Sequence, residues 1–268
     1  MAGVPEIGFM QNYSTPHLVV LAITIVAIAV GVPAARRPGA ERWVGAFGWV
    51  MLAAGLGWMV WWWLPGHFDV HQSLPFHLSD WLRVITGVAL ITRSGWAVVM
   101  SYYWGLTLNL QAVLTPDLVY FRNPALEFGM YWFLHVVALV APIVLVWGLG
   151  YRPTWRGFAA GYLTTLGWAG VALAVNAVLG TNYGFVSEPP GVASALDLLG
   201  PWPWYLLSVA ALLAVVFAAM TWPWTTDRAR AASVACPSGL VRRRVARDER
   251  AVRRTGVISS RRGDTIEA

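Results

Sequence analysis

The chain has 268 residues, 57% of them hydrophobic and only 12% charged, with a mean hydropathy of +0.57 and 17 tryptophans. That composition excludes an ordinary water-soluble enzyme and places the chain in a membrane. The net charge of +6 suggests nucleic-acid binding only until it is located: residues 225–268 hold 11 of the 19 Arg and five of the 13 acids, while residues 1–224 carry eight of each.

A membrane-spanning helix needs about 20 predominantly apolar residues, and the hydropathy pattern predicts seven such stretches: His17–Ala35, Trp43–Leu64, Leu74–Thr92, Gly95–Leu114, Glu127–Leu149, Trp155–Val178 and Pro203–Trp224. The expected fold is all-α, a polytopic bundle of seven transmembrane helices over residues 1–224. The first stretch has no basic region before it and is followed by Arg36 and Arg37, so it reads as an uncleaved signal anchor. The third carries Asp80 and Arg83, each costing about 2.5 to 3.5 kcal/mol at a helix centre on insertion scales, and is expected to face protein rather than lipid. Eleven of the 17 tryptophans fall near predicted span ends, where the amphipathic indole prefers the interface.

Arg placement sets the expected orientation, because cytoplasmic loops retain positive charge. With the N-terminus outside, 17 Arg fall in inner segments and Arg122 alone in an outer one. Beyond Trp224 the hydrophobicity stops. Residues 225–268 read as a basic, disordered cytoplasmic tail drawn to anionic lipid headgroups, and no aromatic residue interleaves with its Arg run to stack on bases. No nucleic-acid partner is expected. The single cysteine, Cys236, lies in this tail and permits no internal disulfide.

Polar residues fall on one side of this topology. His77, Ser79 and Asp80 occupy the first turns of the third helix, His135 lies about 12 Å deep on the fifth, Asn109 ends the fourth and Asn176 the sixth, with Asn182 in the following loop. The expected placement is a cavity open to the outer leaflet. Asp80 and Arg83, spaced i,i+3, are expected to form a structural ion pair. Ser79, His135 and the two asparagines supply a nucleophile, a base and oxyanion donors, with His77 and Asn182 as further substrate-binding groups. His67, Asp69 and His71 alternate in a way that could ligate zinc, but no fourth ligand is near in sequence, so no metal or other cofactor is expected. Ion transport is disfavoured because no line of ionisable groups continues to the inner face.

The stretches Leu74-Pro75-Phe76-His77-Leu78-Ser79-Asp80, Leu110-Gln111-Ala112-Val113-Leu114-Thr115-Pro116-Asp117, Gly180-Thr181-Asn182-Tyr183 and Asp197-Leu198-Leu199-Gly200-Pro201-Trp202-Pro203-Trp204-Tyr205 resemble the YwaF-like family of bacterial integral membrane proteins. That family is similar to eukaryotic transmembrane protein 164, described as a cysteine-dependent phospholipid acyltransferase. The resemblance implies a multi-pass protein of a bacterial plasma membrane that acts on lipids, with Ser79 at the relatives' cysteine position and His135 at their later histidine. Serine for cysteine is a chemical departure: a free thiol has a pKa near 8.5 and is partly ionised at neutral pH, whereas a hydroxyl depends wholly on its base. The expected activity is therefore acyl transfer or lipid hydrolysis, the alternative being a non-enzymatic protein that binds or moves a lipid or small amphiphile.

Overall fold

A computed structural model describes residues 7–188 and 200–225 of the chain. Its elements are almost entirely helical. Helix α1 (Thr15–Ala35) starts on Pro16, whose missing N–H costs nothing in a first turn, and gives way to α2 (Ala40–Trp63) through Gly39 at φ +81°. A Leu64-Pro65-Gly66 turn ends α2, and a folded loop leads to α3 (Leu78–Thr92). Arg93, at φ +55°, and Ser94 turn the chain back into α4 (Gly95–Leu106). After α5 (Leu108–Leu114), strand β2 (Val119–Tyr120) pairs antiparallel with β1 (Gly8–Phe9). Helix α6 (Pro124–Ile143) runs on as a π-turn over Val144–Gly148, α7 covers Trp155–Leu179, and α8 covers Trp204–Thr225.

Five of these segments are long and apolar enough to cross a membrane: α1, α2, α6 with its π-turn, α7 and α8. The other two expected spans take a different form. Helix α3 starts at Leu78 rather than Leu74 because residues 64–77 are held in a loop, and its 15 residues cover about 22 Å at 1.5 Å per residue. The expected span Gly95–Leu114 is broken at Thr107, with φ −118° and ψ −80°, into α4 and α5. The predicted tail, apart from Thr225, which closes α8, lies outside the described residues with Cys236, as does Asp197-Leu198-Leu199 in the loop before α8.

The centre of the bundle is made by the least regular members. Helix α3 packs on α2, α4 and α6, and α4 packs in turn on α6 and α7. Of the most apolar 18 residues of the α6 span 56% are buried, against 17–22% for the same stretch of the other four long helices, so α6 is interior and the others present apolar flanks outward. Close approaches need glycine: a Cβ on Gly48 of α2 would stand 2.7 Å from that of Leu90 on α3, and one on Gly105 of α4 would stand 2.5 Å from the Ala138 carbonyl oxygen on α6. Because α3 is central, its two charges are buried in protein, each residue 8% exposed.

Candidate functional site

The N-terminus of α3 builds the first half of the site. The Asp80 carboxylate, in the first turn, accepts the backbone N–H of His77 through Oδ2 at 3.2 Å and binds the Arg83 guanidinium through Oδ1 at 3.1 Å. One carboxylate thus satisfies an orphan donor at the helix start and the buried cation one turn on. Arg83 folds back along the helix, its Nε donating to the Ser79 carbonyl at 3.0 Å and its Nη2 to the Ser79 hydroxyl at 3.3 Å. Ser79 is half-buried, and this contact uses its hydroxyl as an acceptor. The hydrogen is left free for a base.

The second half comes from α5 and α6. His135 Nδ1 lies 2.7 Å from Asn109 Oδ1, and Asn109 Nδ2 donates to the His135 carbonyl at 2.9 Å. The Tyr131 ring packs on the imidazole at 4.3 Å between centroids. Helices α3 and α6 are in contact. No hydrogen bond joins Ser79 to His135; Arg83 is tied to Ser79 and Asp80 on its own helix.

The remaining expected site residues sit elsewhere. Asn176, buried in the last turn of α7, accepts the Tyr183 N–H at 2.8 Å and the Thr181 hydroxyl at 2.9 Å, and donates to the Tyr183 carbonyl at 3.1 Å. Asn182 holds its own turn, accepting from the N–H groups of Ser187 and Glu188 and donating to the Glu188 carbonyl. Both asparagines therefore shape the loop that presents Tyr183. That tyrosine is fully buried: its ring lies 4.7 Å from the His77 ring, and its hydroxyl donates to the Val70 carbonyl while accepting the Leu74 N–H at 3.2 Å. Burial pushes the phenol up to about 12. Individual residue types give no reason to single out Tyr183, although it ends the Gly180-Thr181-Asn182-Tyr183 motif. His77 Nε2 is buried and unpartnered.

The loop between α2 and α3 does not assemble a metal site from its alternating residues. Asp69 accepts the His71 N–H at 2.8 Å in a local turn, and the His67 ring packs 4.4 Å from Trp61. No group of three or more His, Cys, Asp and Glu side chains is gathered among the described residues. On the opposite face of α6 from His135, by the 3.6-residue period, an apolar groove of about 400 Å³ runs between α1, α2 and α6, lined by Val20, Ile23, Phe47, Trp132, Val136 and Val140 among others.

Residues 12–221 match the family model of the TMEM164 family. The chain belongs to that family. The match takes in α1 to α7 whole, α8 as far as Thr221, and all the polar residues described above. No curated protein and no solved structure gives a match. Family membership and five spanning-length helices make the chain a multi-pass membrane protein.

Proposed function

We propose that this protein is a lipid-modifying enzyme of a bacterial plasma membrane, an acyltransferase or lipid hydrolase, with Ser79 as nucleophile and His135 as base. The observation that supports the reading is that Ser79, held by Arg83, and the Asn109-held His135 stand on two helices in contact. Ser79 Oγ attacks the ester carbonyl of a lipid as His135 takes the hydroxyl proton. The alcohol portion leaves with that proton, and the acyl group on Ser79 passes to a second alcohol or to water. Asn109 and Asn176 are engaged with other partners, so Arg83 Nη2, 3.3 Å from Ser79 Oγ, is the donor best placed to meet the developing oxyanion. His77, with its unpartnered Nε2, is the other polar group at this end of α3.

In this reading seven segments cross the membrane, α3 as a short interior helix and α4 with α5 as one broken span. A broken span is tolerated where protein or a cavity surrounds it. The N-terminus lies outside, residues 225–268 lie in the cytoplasm against anionic headgroups, and the site faces the outer leaflet.

The test uses the full chain in detergent and a long-chain alkyl fluorophosphonate. Wild-type protein is expected to be labelled on Ser79, Ser79→Ala to abolish labelling, and His135→Ala to slow it at least a hundredfold, since a general base contributes about 10² to 10⁴. Protein that resists such probes yet binds lipid tightly overturns the enzyme reading. It would favour the second one, a lipid-binding protein without catalysis, for which the apolar groove on the far face of α6 is the specific support.

A further inference from the structure

The Asn109 side chain makes two hydrogen bonds among the described residues, both to His135, and together they fix the state of the imidazole. The Asn109 amide nitrogen faces the His135 backbone carbonyl, which only accepts, so the amide oxygen must be the atom that faces Nδ1. An amide oxygen only accepts. Nδ1 therefore carries the hydrogen, and in the neutral ring the lone pair is left on Nε2, which has no hydrogen-bond partner among the described residues. The reversed amide would put oxygen against oxygen and is excluded by the same contact.

The backbone explains why an asparagine on a neighbouring segment can reach this far. Gly105 lets α4 approach α6 so closely that its missing Cβ would stand 2.5 Å from the Ala138 carbonyl, one turn from His135. Two residues later the helix breaks at Thr107, whose hydroxyl donates to the Tyr103 carbonyl at 2.6 Å, and α5 restarts with Asn109 buried. A helix continued through Thr107 would set Asn109 at a different angle around the axis. Non-helical backbone within a membrane bundle is tolerated where protein surrounds it, and here it aims one side chain.

The geometry points to Asn109 as the positioning residue of the site: it locks His135 in the Nδ1–H tautomer and turns Nε2 into the proton-accepting atom. This assigns it a role different from the oxyanion donor that its sequence position suggests, and it rests on the reading of His135 as a base. It is the third member of a nucleophile, imidazole and orienting-amide set, in which the amide never touches substrate.

The experiment keeps the two readings apart. The His135 tautomer is read by ¹⁵N NMR on histidine-labelled full-length protein in detergent, and labelling rates are read with the fluorophosphonate. Wild type is expected to show Nδ1–H. Asn109→Leu is expected to mix the tautomers and slow labelling by about tenfold to a hundredfold, a share of what a general base contributes. Asn109→Asp, which still accepts from Nδ1–H but loses the N–H given to the His135 carbonyl and must turn its second oxygen away from it, is expected to restore the tautomer and only part of the rate, a rescue that a merely space-filling role would not give. Asn109→Ala makes the same loss with a smaller side chain should the Leu variant not fold. Wild-type His135 protonated on Nε2, or an Asn109→Leu protein labelled at the wild-type rate, overturns the assignment. Wild-type protein that shows Nδ1–H but resists the probe overturns the enzyme reading and leaves Asn109 as the residue that orients His135.

Discussion

Arg83 reaches back one turn to Ser79, its Nη2 3.3 Å from the hydroxyl, while Asp80 holds the same nitrogen at 3.1 Å. One guanidinium thus joins a buried counter-ion to the candidate nucleophile, and its position depends on that counter-ion. Both residues are 8% exposed, so removing either strands a charge, an effect on the order of 3 to 5 kcal/mol for well-buried pairs. Asp80→Asn and Arg83→Leu should each lower thermal stability in detergent, and the double variant should recover part of the loss. Strictly additive losses would show that the two side chains serve separate partners.

Glycine positions give a second prediction, because interior and flank glycines in the same bundle differ only in what a methyl group would meet. Gly105→Ala would drive a Cβ against the Ala138 carbonyl, and Gly48→Ala against Leu90; each should cost about 1 to 3 kcal/mol, the usual range for overpacking. Gly129 in α6 and Gly170 in α7 have nothing within 4 Å of the added atom. Alanine there should be neutral or stabilise by up to about 1 kcal/mol through helix propensity. Thermal midpoints of the four variants check the ordering, and equal losses would show that helix contact is not what these glycines serve.

Much of this bundle is written in its hydropathy. The five long helices match expected spans to within three residues at each end, with α6 continued by its π-turn, because a helix that crosses a bilayer has to be apolar along its length. The broken span was not legible: Thr107 is an ordinary residue in an apolar run, and the approach of Gly105 to α6 two residues before the break is a long-range contact with no local signature. The same holds for the site. Spacing along one helix is enough to predict the Asp80 to Arg83 ion pair, which the structure contains, whereas pairing Asn109 with His135 requires knowing that α5 lies on α6. Asn176 reads as a free donor in sequence only because its partners, Thr181 and Tyr183, lie in a loop whose fold hydropathy does not encode.

Tyr183 makes the stability of the loop at the α3 N-terminus depend on pH at the alkaline end. Its phenol donates to the Val70 carbonyl and is pushed up to about 12 by burial, above the value of about 10 for an exposed tyrosine. A raised folded-state pKa means that the native state holds the proton more tightly than the unfolded one. The contribution is therefore fully present below about pH 10 and is lost as pH rises toward about 12. Tyr183→Phe should be less stable at neutral pH, and its thermal midpoint should fall less steeply than that of wild type across this window. Parallel curves would mean that another group titrates there.

The topology prediction rests on where the cations are tied. Arg36 Nε donates to the Trp147 carbonyl at the end of the α6 π-turn, Arg93 donates to the Glu41 carbonyl at the start of α2, and Arg152 lies 5.1 Å over the Trp224 ring at the end of α8. Those bonds join helix ends that belong to one side of the bundle. The side carrying Arg36, Arg93 and Arg152 therefore also carries the exit of α8 toward the Arg-rich residues 225–268. Charge bias places such a side in the cytoplasm. Reporter fusions decide it: a fusion at residue 225 or beyond should be active only with a cytoplasmic reporter, and one within residues 181–200 only with an external reporter. The reverse pattern would invert the bundle and move Ser79 and His135 to the inner leaflet. Cytoplasmic activity at both positions would mean that the number of crossings between them is even, and the span assigned to α8 would have to be withdrawn.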